Sequence, residues 1–192
     1  MKKTAAAAII LSAMTFSAVS HADRNTVTLG YAQSKVQDFK DIKGANLKYR
    51  YEWDSSFGII SSFTYMSGKE SESYLLTKDI IENKVDLKYY SLSAGPTYRF
   101  NDYISVYGLL GVNYNKVKSS SIWKNWEGDR GHVIAGEAHG NEKKASLMYG
   151  LGLQINPVDY LAIDIGYEGS RVSSNNSTHS INGFNIGLGY SF

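Results

Sequence analysis

The stretch G-F-N-I-G-L-G-Y-S-F, residues 183–192, decides the fold. Every second residue is large and apolar: Phe184, Ile186, Leu188, Tyr190 and Phe192. Gly183, Asn185, Gly187, Gly189 and Ser191 stand between them. A period of two belongs to a strand, whose side chains point alternately to opposite faces. One face is greasy and the other small and polar. A sandwich core would accept such a strand. So would a membrane wall with lipid outside and a polar lumen inside.

Working back from there, seven more segments alternate in the same way. The first lies near Thr26 to Lys35, with Val27, Leu29 and Tyr31 on its apolar face. The second, Ala45 to Trp53, sets Leu47, Tyr49, Tyr51 and Trp53 against Asn46, Lys48, Arg50 and Glu52. The third spans about Phe57 to Met66, the fourth Tyr90 to Phe100, and the fifth Tyr103 to Lys116. Pro96 lacks a ladder donor, so a local defect is expected in the fourth. The sixth runs from Leu147 to Ile155, and the seventh from Leu161 to Glu168. Segments of this length cross a membrane at a tilt.

The connections alternate in length. Short turns are expected at Asp54-Ser55-Ser56, at Asn101-Asp102 and at Asn156 to Asp159. Long polar links are expected at Val36 to Gly44, Ser67 to Lys88, Val117 to Lys144 and Gly169 to Asn182. All short turns therefore lie at one end of the sheet, as in outer-membrane barrels; a sandwich has no reason to keep that order. Open sheet edges in lipid would leave backbone groups unpaired. The fold expected is all-β, an eight-stranded antiparallel transmembrane β-barrel, with the first strand beside the eighth.

Met1-Lys2-Lys3, the apolar run from Ala5 to about Val19 and the small residues before Ala22 read as a secretory signal peptide, residues 1–22. The other reading, an N-terminal anchor, needs a longer run. The barrel would be 23–192, with four extracellular loops. Removing Lys2 and Lys3 lowers the 20 basic residues to 18, equal to the 18 acidic ones, so the net charge of +2 falls to zero. Nothing in that balance points to nucleic acid. With no cysteine, an exported chain of this size is not held by disulfides. Fifteen tyrosines and 18 glycines beside two prolines suit half-apolar strands with aromatic ends.

The inward set is expected to hold Lys48, Arg50, Glu52, Arg99, Tyr107, Gln154, Asp164 and Glu168. The interior of an eight-stranded barrel is narrow and filled by side chains. Opposite charges there can pair, which makes a polar plug the main reading and a narrow pore its rival. Phe192 is either a girdle aromatic or, with Tyr190, part of a signal for the barrel-assembly machinery; both can hold.

His132, His139 and His179 fall in the links, near Asp129, Glu137 and Ser180. Their spacing sets no metal or triad geometry, and nucleophile-elbow and HExxH patterns are absent. No catalytic residue, cofactor or metal site is expected. The candidate contacts lie in the second and third links: Leu75, Leu76, Ile80, Ile81, Trp123, Lys124, Trp126, Arg130, Lys143 and Lys144. Aromatics flanked by cations suit protein contact or a lipopolysaccharide surface. Alternatively, strands five and six extend above the membrane and these residues pack on one another. Lys116, Lys118, Lys124, Lys143 and Lys144 would meet lipid phosphates or sulfated glycans, or water.

Several stretches resemble the Ail/Lom (OmpX/PagC) family of enterobacterial outer-membrane proteins. They are G-Y-A-Q-S-K-V-Q-D-F-K (Gly30 to Lys40), N-L-K-Y-R-Y-E (Asn46 to Glu52), A-G-P-T-Y-R-F (Ala94 to Phe100), S-V-Y-G-L-L-G (Ser105 to Gly111), Y-G-L-G-L-Q-I-N-P (Tyr149 to Pro157) and D-I-G-Y-E-G-S (Asp164 to Ser170). The first of these, with I-N-G-F-N-I-G-L-G-Y (Ile181 to Tyr190), is most similar to PagC-type members. The resemblance implies a monomeric barrel in the outer membrane, with protruding external strands. It implies partners among outer-membrane lipids, lipopolysaccharide and the assembly machinery. It also implies adhesion or complement resistance through host matrix or complement-regulatory proteins, with envelope integrity as the alternative. It carries no catalytic motif, and no loop motif of the adhesive members is matched.

Overall fold

The computed structural model describes residues 24–37, 41–53, 55–76, 79–126, 128, 132–174 and 177–192. The expected signal segment lies outside the described residues, as do Asp54, Asp129 and Arg130. The strands are β1 (Arg24–Val36), β2 (Ile42–Glu52), β3 (Phe57–Leu76), β4 (Asp79–Arg99), β5 (Ile104–Trp126), β6 (His132–Val158), β7 (Leu161–Ser174) and β8 (Ser177–Ser191). Each pairs antiparallel with its chain neighbours, and β1 pairs with β8, so the sheet closes into a barrel. The seam is tied at its end by Asn25 and Phe192, which exchange backbone hydrogen bonds of 2.9 and 2.8 Å. Closure satisfies in lipid every backbone group an open edge would strand.

No described helix is long and apolar enough to cross a membrane. The strands cross it. Leu29, Leu92, Leu110, Leu147, Leu151 and Leu188 all point outward and are exposed. Aromatic rows bound this apolar band. Tyr65, Tyr90 and Tyr114 occupy one ladder row, with ring centroids 5.0 and 6.5 Å apart. Phe57, Tyr98 and Phe100 cluster at the turn end, and Tyr190 stacks on Phe192 there. Tyr90 and Tyr98 lie eight positions apart on β4. That is about 27 Å along a tilted strand, the scale of the roughly 25 Å apolar band of such barrels. The β4–β5 ladder skips Gly95 and Pro96, so the defect sits where proline withholds its donor.

The long links need correction. Ser67 to Lys88 is no loop: β3 and β4 stay paired from Ser67↔Lys88 to Leu76↔Asp79. Val117 to Lys144 is likewise ladder, paired up to Trp126↔His132 with a register shift at Trp123/Lys124. The first link shrinks because β2 starts at Ile42, and the fourth because β7 and β8 pair to Ser174↔Ser177. The third short turn falls at Asp159 and Tyr160, since β6 continues through an irregular register to Val158. The physical reason is common to all. Alternation records lipid on one face and lumen on the other. Above the membrane both faces meet water, so the pattern lapses while the backbone ladder continues.

Candidate functional site

Two regions carry polar chemistry: the lumen and the sheet that rises beyond the membrane. In the lumen, residues of different strands meet because closure brings alternate side chains of all eight strands inward. At mid-height Lys48 is fully buried and bonds Asp164 and Asn185. Tyr107 donates its hydroxyl to Asp164 Oδ1 at 3.1 Å, and Lys48 Nζ stands 5.4 Å from the Tyr107 ring centre. Toward the turns, Glu52 lies between Arg50 (3.3 Å) and Arg99 (3.6 Å). Arg50 Nη2 also reaches Thr26 (3.3 Å) and Asn156 (3.5 Å). Toward the outside, Glu168 accepts from Thr64 (2.6 Å), Ser91 (3.3 Å) and Asn46 (3.5 Å). Gln154 is buried on β6, and its amide has no hydrogen-bond partner among the described residues.

An apolar cap, absent from the sequence-derived set, lies among the outer lumen residues. Ala32, Val36, Ile42, Met66, Leu87, Tyr89 and Ile181 form one buried cluster, with Val117 packed against it. Ile42, Leu87 and Val117 fall in stretches expected as links. Their every-second-residue spacing continues the inward rows of β2, β4 and β5, and that spacing was the available signal. A wet bore would have to cross this packing, so the lumen is built as a plug.

Two glycines make room for Tyr107. A Cβ at Gly152 would lie 2.3 Å from the Tyr107 hydroxyl oxygen, and one at Gly166 would lie 2.6 Å from it. Gly152→Val should therefore cost about 1–3 kcal/mol through overpacking. Urea unfolding of the refolded barrel measures it; an unchanged midpoint would mean that Tyr107 is not held against this wall.

Beyond the tyrosine row, β3 to β6 continue as a four-stranded crown. Ten residues of β5 past Lys116 add about 33 Å of strand. Alternation gives the crown two faces. The outer one is basic, with Lys69, Lys84, Lys88, Lys116, Lys118, Lys124 and Lys143 against Glu82, Asp86 and Glu137. The inner one is acidic, with Glu70, Glu72 and Glu142 against Lys144. At its base Lys43, Ser67, Lys88, Lys116 and Lys143 share one row across five strands, one step above Tyr65, Tyr90 and Tyr114. A shallow concavity of about 470 Å³ on the crown is lined by Lys69, Lys84, Lys118, His139 and neighbours.

The crown separates the expected contact residues between its faces, with Ile134 and Tyr74, outside the expected set, beside them. Leu75, Ile80, Lys124, Ile134 and Trp126 share the outer face; Tyr74, Ile81 and Trp123 share the inner one. Leu75 is 72% exposed, and Trp123 and Trp126 are about half exposed. Leu76 pairs through its backbone with Asp79, while the side chain lies outside what is described, as does Arg130. Lys143 is exposed on the outer face and Lys144 is half-buried on the inner. Of the histidines, His132 packs edge-on to Trp126, His139 meets Glu137 at 3.0 Å, and His179 lies on β8. No three described residues of metal-ligating type converge.

Lys124 Nζ donates to Glu82 Oε1 at 2.6 Å. That bond, and then the lysine charge, hold the Glu82 carboxyl below the usual carboxylate range. A lowered pKa means the contact is fully formed above the ordinary range and lost as pH falls through the lowered value. Lys124→Met should return the Glu82 titration toward ordinary values in a carboxyl-resolved NMR experiment. An unmoved titration would remove Lys124 as its cause.

The geometry defines an eight-stranded outer-membrane β-barrel with a plugged lumen and long strands on the external side. The model of the enterobacterial Ail/Lom protein family matches residues 1–192, and the chain belongs to that family. It is 42% identical over 176 residues to the virulence membrane protein PagC of Salmonella typhimurium, covering 91% of this chain and 90% of PagC. It is 37% identical to outer membrane protein X of Escherichia coli K12 over the whole of both chains. The crystal structure of Ail, the attachment invasion locus protein of Yersinia pestis, in complex with the heparin analogue sucrose octasulfate superposes with a TM-score of 0.67. Identity there is 34%, over 90% of this chain and 100% of Ail.

Proposed function

We propose that this protein is a surface interaction protein whose crown binds host matrix or serum factors in adhesion or complement resistance. One observation carries the reading: a four-stranded sheet stands beyond the membrane with its charges sorted by face and large apolar residues exposed at its tip. The basic outer face suits sulfated glycans of the matrix, a ligand chemistry like that of the heparin analogue bound by Ail. Trp123, Trp126, Leu75 and Arg130 would supply protein contact, with Ile80, Ile81, Leu76, Lys124, Lys143 and Lys144 around them. The β3 edge of the crown adds a backbone route. Gly68 to Leu76 of β3 has a ladder partner in β4 alone among the described residues. Unpaired strand edges accept an extended segment of a partner.

The test compares cells displaying the full protein with cells displaying a barrel trimmed within 67–88 and 117–144, at matched surface amounts. Immobilised matrix proteins and complement regulators are the probes. Binding by the full protein and its loss on trimming is expected. No binding by either form would sink the reading for those ligands.

A second reading rests on its own observation, the lysine row one step above the tyrosine row. Lipopolysaccharide phosphates lie at that depth in an anionic outer leaflet. The protein would then serve envelope integrity as a monomer, and a trimmed barrel would keep that role. Delivery to the membrane would use residues 1–22 as a signal, with Tyr190 and Phe192 read by the assembly machinery.

A further inference from the structure

A concavity of about 680 Å³ opens on the lipid-facing wall where β7, β8, β1 and β2 adjoin. Its sides are Leu29, Ile163, Ile186 and Leu188, and its floor is backbone at Gly30, Gly44 and Gly187. Two features make this dent. Gly30 and Gly187 are ladder partners, so no inward side chain props the wall out there. A Cβ at Gly30 would lie 2.5 Å from the Ile186 carbonyl oxygen, so the close approach of the strands excludes one. Ala45 is the second feature. The row of Tyr65, Tyr90 and Tyr114 continues through Ala45 to Tyr31 and Ile186, and alanine leaves the aromatic girdle open at β2. The dent therefore lies just inside the outer boundary of the apolar band, where acyl chains join their headgroups.

Its outer end is polar. Tyr31 donates its hydroxyl to Gln33 Oε1 at 2.9 Å, and the Gln33 amide donates to Asp41 at 2.7 Å, so that carboxylate is already engaged. Lys43 is the ladder partner of Gln33 and is exposed, two positions from Ala45 on the same outward face. We infer that the dent seats one acyl chain of a lipopolysaccharide molecule whose phosphate meets Lys43. The volume falls within the roughly 300–1,000 Å³ of small-molecule sites. A chain gains no hydrophobic energy by leaving the bilayer for this wall, since both are apolar. Selection comes from close packing in the dent and from the cation at its head. A phosphate of lipopolysaccharide has no ammonium beside it, unlike that of phosphatidylethanolamine, so Lys43 favours the former. The inference rests on the lipopolysaccharide reading above and gives that reading a seat in the wall below the lysine row.

Native mass spectrometry of the protein, extracted from outer membranes in mild detergent, reads the retained lipid. The wild type should carry one lipopolysaccharide molecule. Ala45→Phe fills the dent from the lipid side and should lose it. Leu147→Phe, exposed elsewhere on the outer wall, should keep it. Lys43→Gln leaves the wall unchanged and should lower the retained fraction about fivefold, the loss of one lysine at an anionic surface. Retention that survives Ala45→Phe but falls with Lys88→Gln would overturn the dent and leave the lysine row standing. No retention by the wild type would overturn both. A phospholipid adduct or a dimer of the chain, lost on Ala45→Phe, would show another occupant and overturn the assignment equally.

Discussion

Asp164→Asn is expected to cost about 3–5 kcal/mol of barrel stability, the usual consequence of leaving a buried charge without its partner. Asp164 is the counter-ion of Lys48, and both are 1% exposed. The asparagine keeps the shape and removes the charge. Lys48 would retain Asn185 as an acceptor, and Tyr107 would lose its charged acceptor. Reversible urea unfolding of the refolded barrel in lipid vesicles measures the difference. The double variant Lys48→Met with Asp164→Leu should lose less than either single one, because no charge is then left alone. A single-variant cost under about 1 kcal/mol would show the pair to be hydrated rather than buried.

That pair also shows where sequence reading stops. Inward pointing of Lys48 and Asp164 follows from alternation within each strand. Their meeting does not, since they are 116 positions apart. It depends on strand register around the closed wall, and register is a property of eight ladders together. The apolar cap was missed for a related reason. Met66 and Leu87 are diagonal neighbours on the adjacent strands β3 and β4, at the end of the lumen where the apolar-polar contrast fades. The crown falls in stretches expected as links, with only the alternative of extended strands five and six reaching it, because its ladder persists where both faces are wet. What alternation does record is a lipid face opposed to a lumen face. The eight membrane segments, the short-turn end and the inward charges were legible for that reason. Sorting of the contact residues onto opposite crown faces required the register, including the shift at Trp123/Lys124.

The lipid face gives the other large effect. Leu110→Arg should cost about 2–4 kcal/mol in bilayer refolding experiments, because a cation at mid-membrane must be dragged toward water. Leu110 is 74% exposed on the outer wall and paired with Ala94 and Tyr149. It lies between Tyr103 at the turn end and Tyr114 in the outer tyrosine row. Ala145 shares the row of Tyr114, so Ala145→Arg should cost only about 0–1 kcal/mol at the interface. The contrast is the discriminating quantity. A wall facing water would accept arginine equally at both positions, and so would a barrel seated at another depth with both residues in the same environment. A steep loss at Leu110 beside a small one at Ala145 fixes the outer boundary of the apolar band at the tyrosine row. The lysine row one step higher then stands at phosphate depth, and the crown beyond it is free for partners. Equal costs at the two positions would displace that boundary, and with it the depth argument for the lysines.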